Sequence, residues 1–404
     1  MFDFFCTQFG FSLLLAATVF GAIMGTVAYC IYFERRISAW IQDRHGPNRV
    51  GPWGLLQPIA DGLKFILKED IIPGRVDRPL FILAPCLIFI VSMIMFVVIP
   101  WGGQVDLGGP ELINVQVANP DIGLLYVLGI ASMGIYGVVL GGWASNNKYS
   151  QFGAMRAAAQ MLSYEIPMGL AILVVVLVTG EVRLEEILLA QVGTGTSAIG
   201  DAIPHYWNIL LHPLAFMILL ITVFAESNRT PFDVAEAEQE LVGGYHTEYS
   251  AMKFALFFLA EYAHMITASA FIAVLFLGGW HLPFVPGLQP GDTSVAAMGF
   301  KMLILGVKIA GFLFFFMLVR WTVPRFRFDQ IMRLAWKGLV PMSMGLVALA
   351  AVLVYAGKPH SVAWSLSGNA IVLLLTIAVA ASTRQPVTGR QANMPALPAT
   401  AAGA

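Results

Sequence analysis

Two carboxylates and one amine lie inside segments that are otherwise apolar. Glu165 and Glu261 are the acids, and Lys308 is the amine. Ionisable side chains are costly in lipid and usually mark a function. A carboxyl group in a medium of low dielectric constant exchanges its proton nearer to neutral pH than one in water. The two acids therefore favour a proton relay over a structural ion pair, whereas Lys308 is equally well explained by hydrogen bonds to its neighbours.

A second group of acids lies between residues 225 and 253. Its members are Glu226, Asp233, Glu236, Glu238, Glu240 and Glu248. A run of acids is usually solvated surface, but Glu236 and Glu240 would be adjacent like charges on a helix, which destabilise it. Acids that cluster and are partly buried share protons and titrate as a group. The pattern therefore favours a proton path. The run Thr230-Pro231-Phe232-Asp233 resembles a helix start, with a threonine cap and proline at the first position.

Glu261 and His264 form one ExxH pair on a helical face. A di-iron bundle needs two such motifs and further glutamates, so we expect no metal site. Three cysteines without a CxxC motif give no local iron–sulfur or zinc site. Neither a P-loop nor a dinucleotide-binding glycine motif occurs.

Composition shows what must position these groups. Of the 404 residues, 58% are hydrophobic and 12% are charged, against about 25% charged in soluble domains. This excludes a soluble multidomain enzyme and a disordered chain, and the net charge of −1 gives no general attraction to nucleic acid. We predict an all-α, multi-pass transmembrane bundle. Its nine spans are 9–33, 80–100, 122–143, 161–180, 207–225, 254–277, 301–323, 339–355 and 363–381.

The basic residues predict the orientation of the bundle. Seventeen of the 23 Lys and Arg residues lie in the loops 34–79, 144–160, 225–253 and 320–338. The positive-inside rule puts these loops on the inner side and the N-terminus outside. Within the first loop, the spacing of apolar residues from Leu55 to Leu67 predicts an amphipathic helix at the membrane boundary.

The basic side chains of these loops have two open interpretations. The residues concerned are Arg35, Arg36, Arg44, Arg49, Arg325 and Arg327. They either set the topology and contact lipid headgroups or line a polar pocket opposite the acidic loop.

Four long strings resemble the H subunit of respiratory complex I, the NADH:quinone oxidoreductase. They are ERRISAWIQDRHGPNRVGPWGLLQPIADGLKFILKED (34–70), GWASNNKYSQFGAMRAAAQMLSYEIP (142–167), AESNRTPFDVAEAEQELVGGYHTEYSAMKFALFFLAEY (225–262) and RWTVPRFRFDQIMRLAWKGLVP (320–341). The resemblance covers about residues 12–355. It implies a membrane subunit that forms the wall of the quinone chamber and links quinone reduction to proton pumping.

The resemblance also implies the site residues. Those of the quinone chamber are Glu34, Arg35, Arg44, Asp61, Lys64, Arg229, Phe232, Arg325 and Arg327. Those of the proton path are Glu165, Glu226, Asp233, Glu236, Glu238, Glu240, Glu248 and Glu261. FMN and the iron–sulfur clusters are expected in partner subunits, none on this chain, and no redox activity is expected of this chain alone. The expected partners are peripheral-arm subunits of the quinone site, neighbouring small membrane subunits, quinone and membrane lipid, and no nucleic acid.

Residues 1–355 form the expected subunit-like membrane domain, 356–382 an additional helix, and 383–404 a disordered tail in a bacterial inner membrane protein. Two alternatives stay open. One is the membrane subunit of a related energy-converting hydrogenase. The other is a stand-alone proton-coupled transporter, which predicts internal repeats with broken helices.

Overall fold

The protein is a bundle of α-helices in a computed structural model, which describes residues 7–108, 112–192, 207–234, 243–282 and 291–382. Within these residues, eight helices are long and apolar enough to cross a membrane, and β structure is confined to one short antiparallel pair. The all-α multi-pass prediction is confirmed, and the chain is an integral membrane protein.

The helices up to residue 192 are α1 (Gln8–Ile41), α2 (Gln57–Leu67), α3 (Arg78–Ile94), α4 (Gly123–Ala144), α5 (Lys148–Thr179) and α6 (Leu184–Val192). Those after residue 207 are α7 (Asn208–Leu211), α8 (Pro213–Glu226), α9 (Ala251–Phe276), α10 (Val295–Thr322), α11 (Phe328–Arg333), α12 (Val340–Tyr355) and α13 (Val362–Ser382). The strands are β1 (Gln104–Val105) and β2 (Ile113–Asn114). A π-helical segment, Leu334–Leu339, makes α11 and α12 one continuous span.

The predicted span 207–225 is divided into α7 and α8. His212 leaves the helical conformation between them, with φ −130° and ψ 64°. Pro213 follows it, and proline disfavours the helical conformation in the residue before it. The 14 residues of α8 rise about 21 Å at 1.5 Å per residue, less than the roughly 30 Å of a bilayer core.

Helix α9 lies at the centre of the bundle. Of its most apolar stretch, 78% is buried, against 17% for α13. A helix that is apolar all round is stable only when it is surrounded, and α9 contacts α1, α2, α3, α8 and α10. Side chains in its N-terminal half therefore reach several helices at once.

Glycines set how closely α4 approaches its neighbours. A Cβ atom on Gly142 would lie 2.3 Å from Cβ of Ala154 in α5, and one on Gly137 would lie 2.2 Å from Cγ1 of Ile88 in α3. These contacts explain the small residues of the stretch 129–142, since small side chains allow close helix packing in lipid.

Lys308 has structural partners. Its Nζ donates to the carbonyl oxygens of Leu277, Gly279 and His281, each at 2.7 Å. These carbonyls follow the C-terminal end of α9, where the helix dipole favours a cation. The contacts support the structural interpretation of Lys308.

The amphipathic helix expected after Leu55 is confirmed as α2. Its Ile59, Leu63, Ile66 and Leu67 side chains are exposed, as they are on a helix that lies on the membrane surface. The helix start expected at Thr230 is wrong. Residues 230–234 form turns, in which the Val234 amide donates to the Phe232 carbonyl at 3.0 Å and not four residues back as in an α-helix.

Candidate functional site

A cavity of about 400 Å³ lies between α1, α2, α9 and α10. This volume is within the range of about 300–1,000 Å³ that is usual for small-molecule sites. Six polar or charged residues line it: Glu34, Arg35, Asp61, Lys64, Tyr262 and Arg320. The other lining residues are small, aliphatic or aromatic, including Phe65 and Phe258. We call this space the chamber.

One arginine joins the chamber wall to the protein interior. Arg229 Nη1 is 3.1 Å from Glu34 Oε2, and Arg229 Nε is 2.5 Å from Glu261 Oε1. Only 4% of the Arg229 side chain is exposed. Its guanidinium carbon lies 4.1 Å from the centre of the Tyr262 ring, and the Tyr262 hydroxyl donates to Glu34 Oε2 at 2.7 Å. Arg229 is therefore a buried cation held between two carboxylates and an aromatic face.

Two further sets of contacts fix the wall of the chamber. Arg320 pairs with the second oxygen of Glu34. Arg35 Nη1 is 2.7 Å from Asp61 Oδ2, and Lys64 Nζ is 3.6 Å from Asp61 Oδ1. Asp61 thus joins α1 to the amphipathic helix α2.

Burial and neighbouring charge act in opposite directions on the loop that carries Arg229. Burial alone would lower the pKa of Arg229, but Glu261, Tyr262 and Glu34 raise that pKa well above its usual value. Arg229 is therefore charged at every physiological pH. For Asp233, burial raises the pKa against the opposing effect of Arg325, whose Nη2 is 2.6 Å away.

A fully buried glutamine holds both ends of the Arg229 loop. Gln160 Nε2 in α5 donates to the carbonyl oxygens of Ala225 at 2.9 Å and Phe232 at 2.8 Å. Within the loop, the Phe232 amide donates to the Arg229 carbonyl at 2.9 Å. Gln160 thus fixes the loop from which the Arg229 side chain reaches both Glu34 and Glu261.

Replacing Gln160 with methionine, which has a similar shape but no donor, should loosen this loop. Each buried acceptor left without a donor costs about 1–3 kcal/mol. We expect the protein in its native membrane to unfold at a lower temperature than the unsubstituted protein. Gln151→Met, at an exposed position of the same helix, is the matched control, and equal behaviour of both variants would contradict the positioning role.

Two smaller cavities lie beyond Arg229. One leaves about 60 Å³ for the centres of water molecules and is lined by Glu226, Glu261 and His264, among others. The other leaves about 10 Å³ and is lined by Ser132, Glu165 and Glu226. About 10–15 Å³ suffices for one water. Glu226 borders both cavities, so Glu261, Glu226 and Glu165 follow one another along a space that can hold water.

The sequence-derived chamber residues fall into three groups. Glu34, Arg35, Asp61 and Lys64 line the chamber, and Arg229 lies behind it. The remaining four lie elsewhere: Arg44 at the end of α1 beside Gln42, Phe232 packed between Tyr164 and Phe326, Arg325 paired with Asp233, and Arg327 at the start of α11.

The sequence-derived proton-path residues are also divided. The two smaller cavities bring together Glu165, Glu226 and Glu261. Asp233 pairs with Arg325, and Glu248 Oε1 accepts a hydrogen bond from Asn147 at 2.6 Å. Glu236, Glu238 and Glu240 lie outside the described residues.

Sequence reasoning missed Tyr262 and Arg320 as chamber residues. Arg320 had a usable signal, because it is a base in the last turn of a predicted span and ionisable groups there need a partner. Tyr262 had no such signal, since a tyrosine in an apolar helix is ordinary. Within the described residues, no group of three or more His, Cys, Asp or Glu side chains is placed to hold a metal ion.

Comparison with known proteins identifies the family. A model of the family described as NADH dehydrogenase matches residues 14–351. The chain belongs to this family. The resemblance found in the four strings is confirmed.

Relatives in this NADH dehydrogenase family share close to half of their residues with the chain, and each is named as the H subunit of an NADH-quinone oxidoreductase. The relative from Cytophaga hutchinsonii is 46% identical over 331 residues, which cover 82% of this chain and 93% of the relative. The relative from Leptospira biflexa is 45% identical over 344 residues, covering 83% and 92%. The relative from Koribacter versatilis is 44% identical over 354 residues, covering 85% and 96%.

Proposed function

We propose that the chamber receives the headgroup of a quinone and that three carboxylates carry protons away from it. These are Glu261, Glu226 and Glu165, which we call the proton row. The chain is a membrane subunit of NADH:quinone oxidoreductase, complex I, and works with other subunits of that complex. One observation carries the proposal: Arg229 contacts both a carboxylate of the chamber wall, Glu34, and the first carboxylate of the proton row, Glu261.

Access to the chamber is proposed to be sideways from the bilayer. A quinone is a lipid with a polar head, and α2 presents exposed apolar residues such as Ile59 and Leu63 beside charged residues of the chamber wall, Asp61 and Lys64. A helix of this composition lies at the level of the headgroups. It can therefore lead the polar head to Asp61 and Glu34 while the tail stays in the acyl chains.

Coupling is proposed to be electrostatic. Reduction of quinone to quinol takes up two electrons and two protons, and the electrons come from FMN and iron–sulfur clusters on partner subunits. Negative charge that develops in the chamber attracts Arg229 and Arg320 away from their carboxylates. Glu261 then loses its compensating cation, which favours its uptake of a proton from water on the chamber side. When the charge is neutralised, Arg229 returns and the proton passes to Glu226.

The assembly and location follow from the same proposal. The peripheral-arm subunits of the quinone site cover the inner end of the bundle, and small membrane subunits lie beside it, all in a bacterial inner membrane. Residues 1–355 are the subunit-like membrane domain, and 356–382 add a helix that docks on α7, where Asn369 Nδ2 donates to the Leu211 carbonyl at 3.2 Å. The segment 383–404, proposed as a disordered tail, lies outside the described residues.

Glu261→Gln tests the proton row. The amide keeps the shape but does not titrate, so we expect NADH:quinone reduction and proton pumping by the complex in native membranes to fall together. A fall of about tenfold corresponds to about 1.4 kcal/mol. NADH oxidation by ferricyanide, which bypasses the chamber, should persist. Glu69→Gln, at an exposed position of the inner loop, is the control. Full pumping by the Glu261 variant would refute the path.

A further inference from the structure

His264 is a titratable side chain beside the proton row, and none of the steps proposed for that row uses it. His264 follows Glu261 by three residues in α9, so both side chains lie on the same face. It lines the cavity that also borders Glu226 and Glu261. The exposed fractions are 15% for the His264 side chain and 12% for Glu226. His264 is therefore a mostly buried imidazole in a small cavity that two carboxylates on different helices also line.

The distance to Glu226 calls for a water. His264 Nε2 is 3.7 Å from Glu226 Oε1 and makes no direct hydrogen bond, since such bonds end at about 3.2 Å. The cavity leaves about 60 Å³ for water centres, which is room for several waters. A water that bridges two groups gives nearly the same enthalpy as a direct hydrogen bond between them.

The charged and titratable groups around this cavity are few. Glu226 comes from α8, Glu261 from α9 itself, and Tyr245 from the segment before α9. The residues that α3, α4 and α5 contribute are aliphatic or small: Ile88, Val91, Ser92, Ala131, Gly134, Val138 and Met161. The nearest cation identified, Arg229, lies on the far side of Glu261, and Glu165 borders the next cavity with Glu226. The imidazole thus shares this cavity with carboxylates from two helices.

We propose that His264 is a proton relay residue that accepts a proton from Glu261 and delivers it to Glu226. The inference rests on the proposed proton row. In the first step the carboxyl O–H of Glu261 breaks and an imidazole N–H forms through a cavity water, which leaves Glu261 ionised beside Arg229. In the second step the imidazolium gives a proton to Glu226, and both side chains become neutral. No electron moves.

A histidine suits this position because of its intrinsic proton affinity. It is the side chain whose unperturbed charge changes between about pH 5 and 8, and its two ring nitrogens can accept a proton on one side and release one on the other. Two carboxylates separated by a gap would otherwise exchange a proton only through water. The single ExxH pair, which is too little for a di-iron site, here serves proton transfer between two helices.

The test replaces His264 in the complete complex in native membranes. His264→Asn and His264→Gln both replace the imidazole with an amide that does not titrate, and the two amides differ in length. His45→Asn, at an exposed position of the inner loop, is the control. Quinone reduction and pumping are measured from about pH 5 to 9, the range in which histidine titrates. We expect both His264 variants to slow coupled turnover by at least about 10²-fold, the lower end of general acid–base effects, and to change the pH profile relative to that of the wild type.

Two outcomes separate this inference from the function on which it rests. If Glu261→Gln is impaired while both His264 variants keep the wild-type rate and pH profile, the row stands and the relay role of His264 is refuted. If Glu261→Gln also pumps fully, the row itself is wrong. Ferricyanide reduction by each variant reports assembly, and a loss confined to one His264 variant marks a packing defect because the other amide has a different shape.

Discussion

Arg229→Met should abolish quinone reduction and destabilise the membrane subunit by about 3–5 kcal/mol, the cost of removing one partner from a buried ion pair. Glu34 and Glu261 would lose the guanidinium that lies between them. Thermal inactivation of the solubilised complex measures the stability, and NADH:quinone reduction measures the function. Arg333→Met is the matched control, because the Arg333 side chain is 72% exposed and its pair with Asp329 spans 3.8 Å. Such surface pairs are worth about 0–1 kcal/mol.

A triple variant separates the stability of this cluster from its function. Combining Arg229→Met with Glu34→Gln and Glu261→Gln neutralises these three groups together and leaves Arg320, which is 22% exposed, as the cation that loses its Glu34 partner. Neutral replacement of a buried ionic cluster is often tolerated. We expect thermal stability to recover while quinone reduction stays absent. Recovery of both would contradict the role of Arg229 as the link between the chamber and the proton row.

Ala28→Trp should block the chamber with little effect on the fold. Ala28 is a half-buried residue of α1 that lines the cavity, so an indole at this position extends into space that the quinone would occupy. We expect quinone reduction to fall more than tenfold, equivalent to at least about 1.4 kcal/mol, while NADH oxidation by ferricyanide persists. Ala17→Trp places the same side chain at an exposed position of the same helix. Equal activity of both variants would contradict the assignment of this cavity.

Local patterns were enough to predict most of the helices. The lengths of the apolar stretches predict nine spans, and eight of these are helices of membrane-spanning length in the described residues. The spacing of apolar residues from Leu55 to Leu67 predicts α2. Hydropathy predicts one continuous span at 207–225, because it averages over Pro213 and does not register the helix break that this proline causes. The helix start at Thr230 was wrong because the Val234 amide donates two residues back, to the Phe232 carbonyl, which the capping pattern in the sequence does not reveal.

The candidate site could be predicted only in part. Glu165, Glu261 and Arg229 are visible as single ionisable residues in or beside apolar segments. Their connections are not visible, because Arg229 meets Glu34 across 195 residues of chain, and only tertiary packing brings such groups together. His264 likewise has meaning only beside Glu226, which the sequence places in another helix.

Photolabelling with a quinone that carries a photoreactive headgroup tests the central claim most directly. The complete complex in native membranes is illuminated with the probe, and the labelled peptides of this chain are identified by mass spectrometry. The expected labels lie in α1 near Ala28–Arg35, in α2 near Pro58–Ile66 and in α9 near Met252–Tyr262, the segments that line the chamber. They should disappear in Ala28→Trp, persist in Ala17→Trp and be displaced by excess unlabelled quinone. Labels confined to other parts of the chain, or undiminished in Ala28→Trp, would contradict the account.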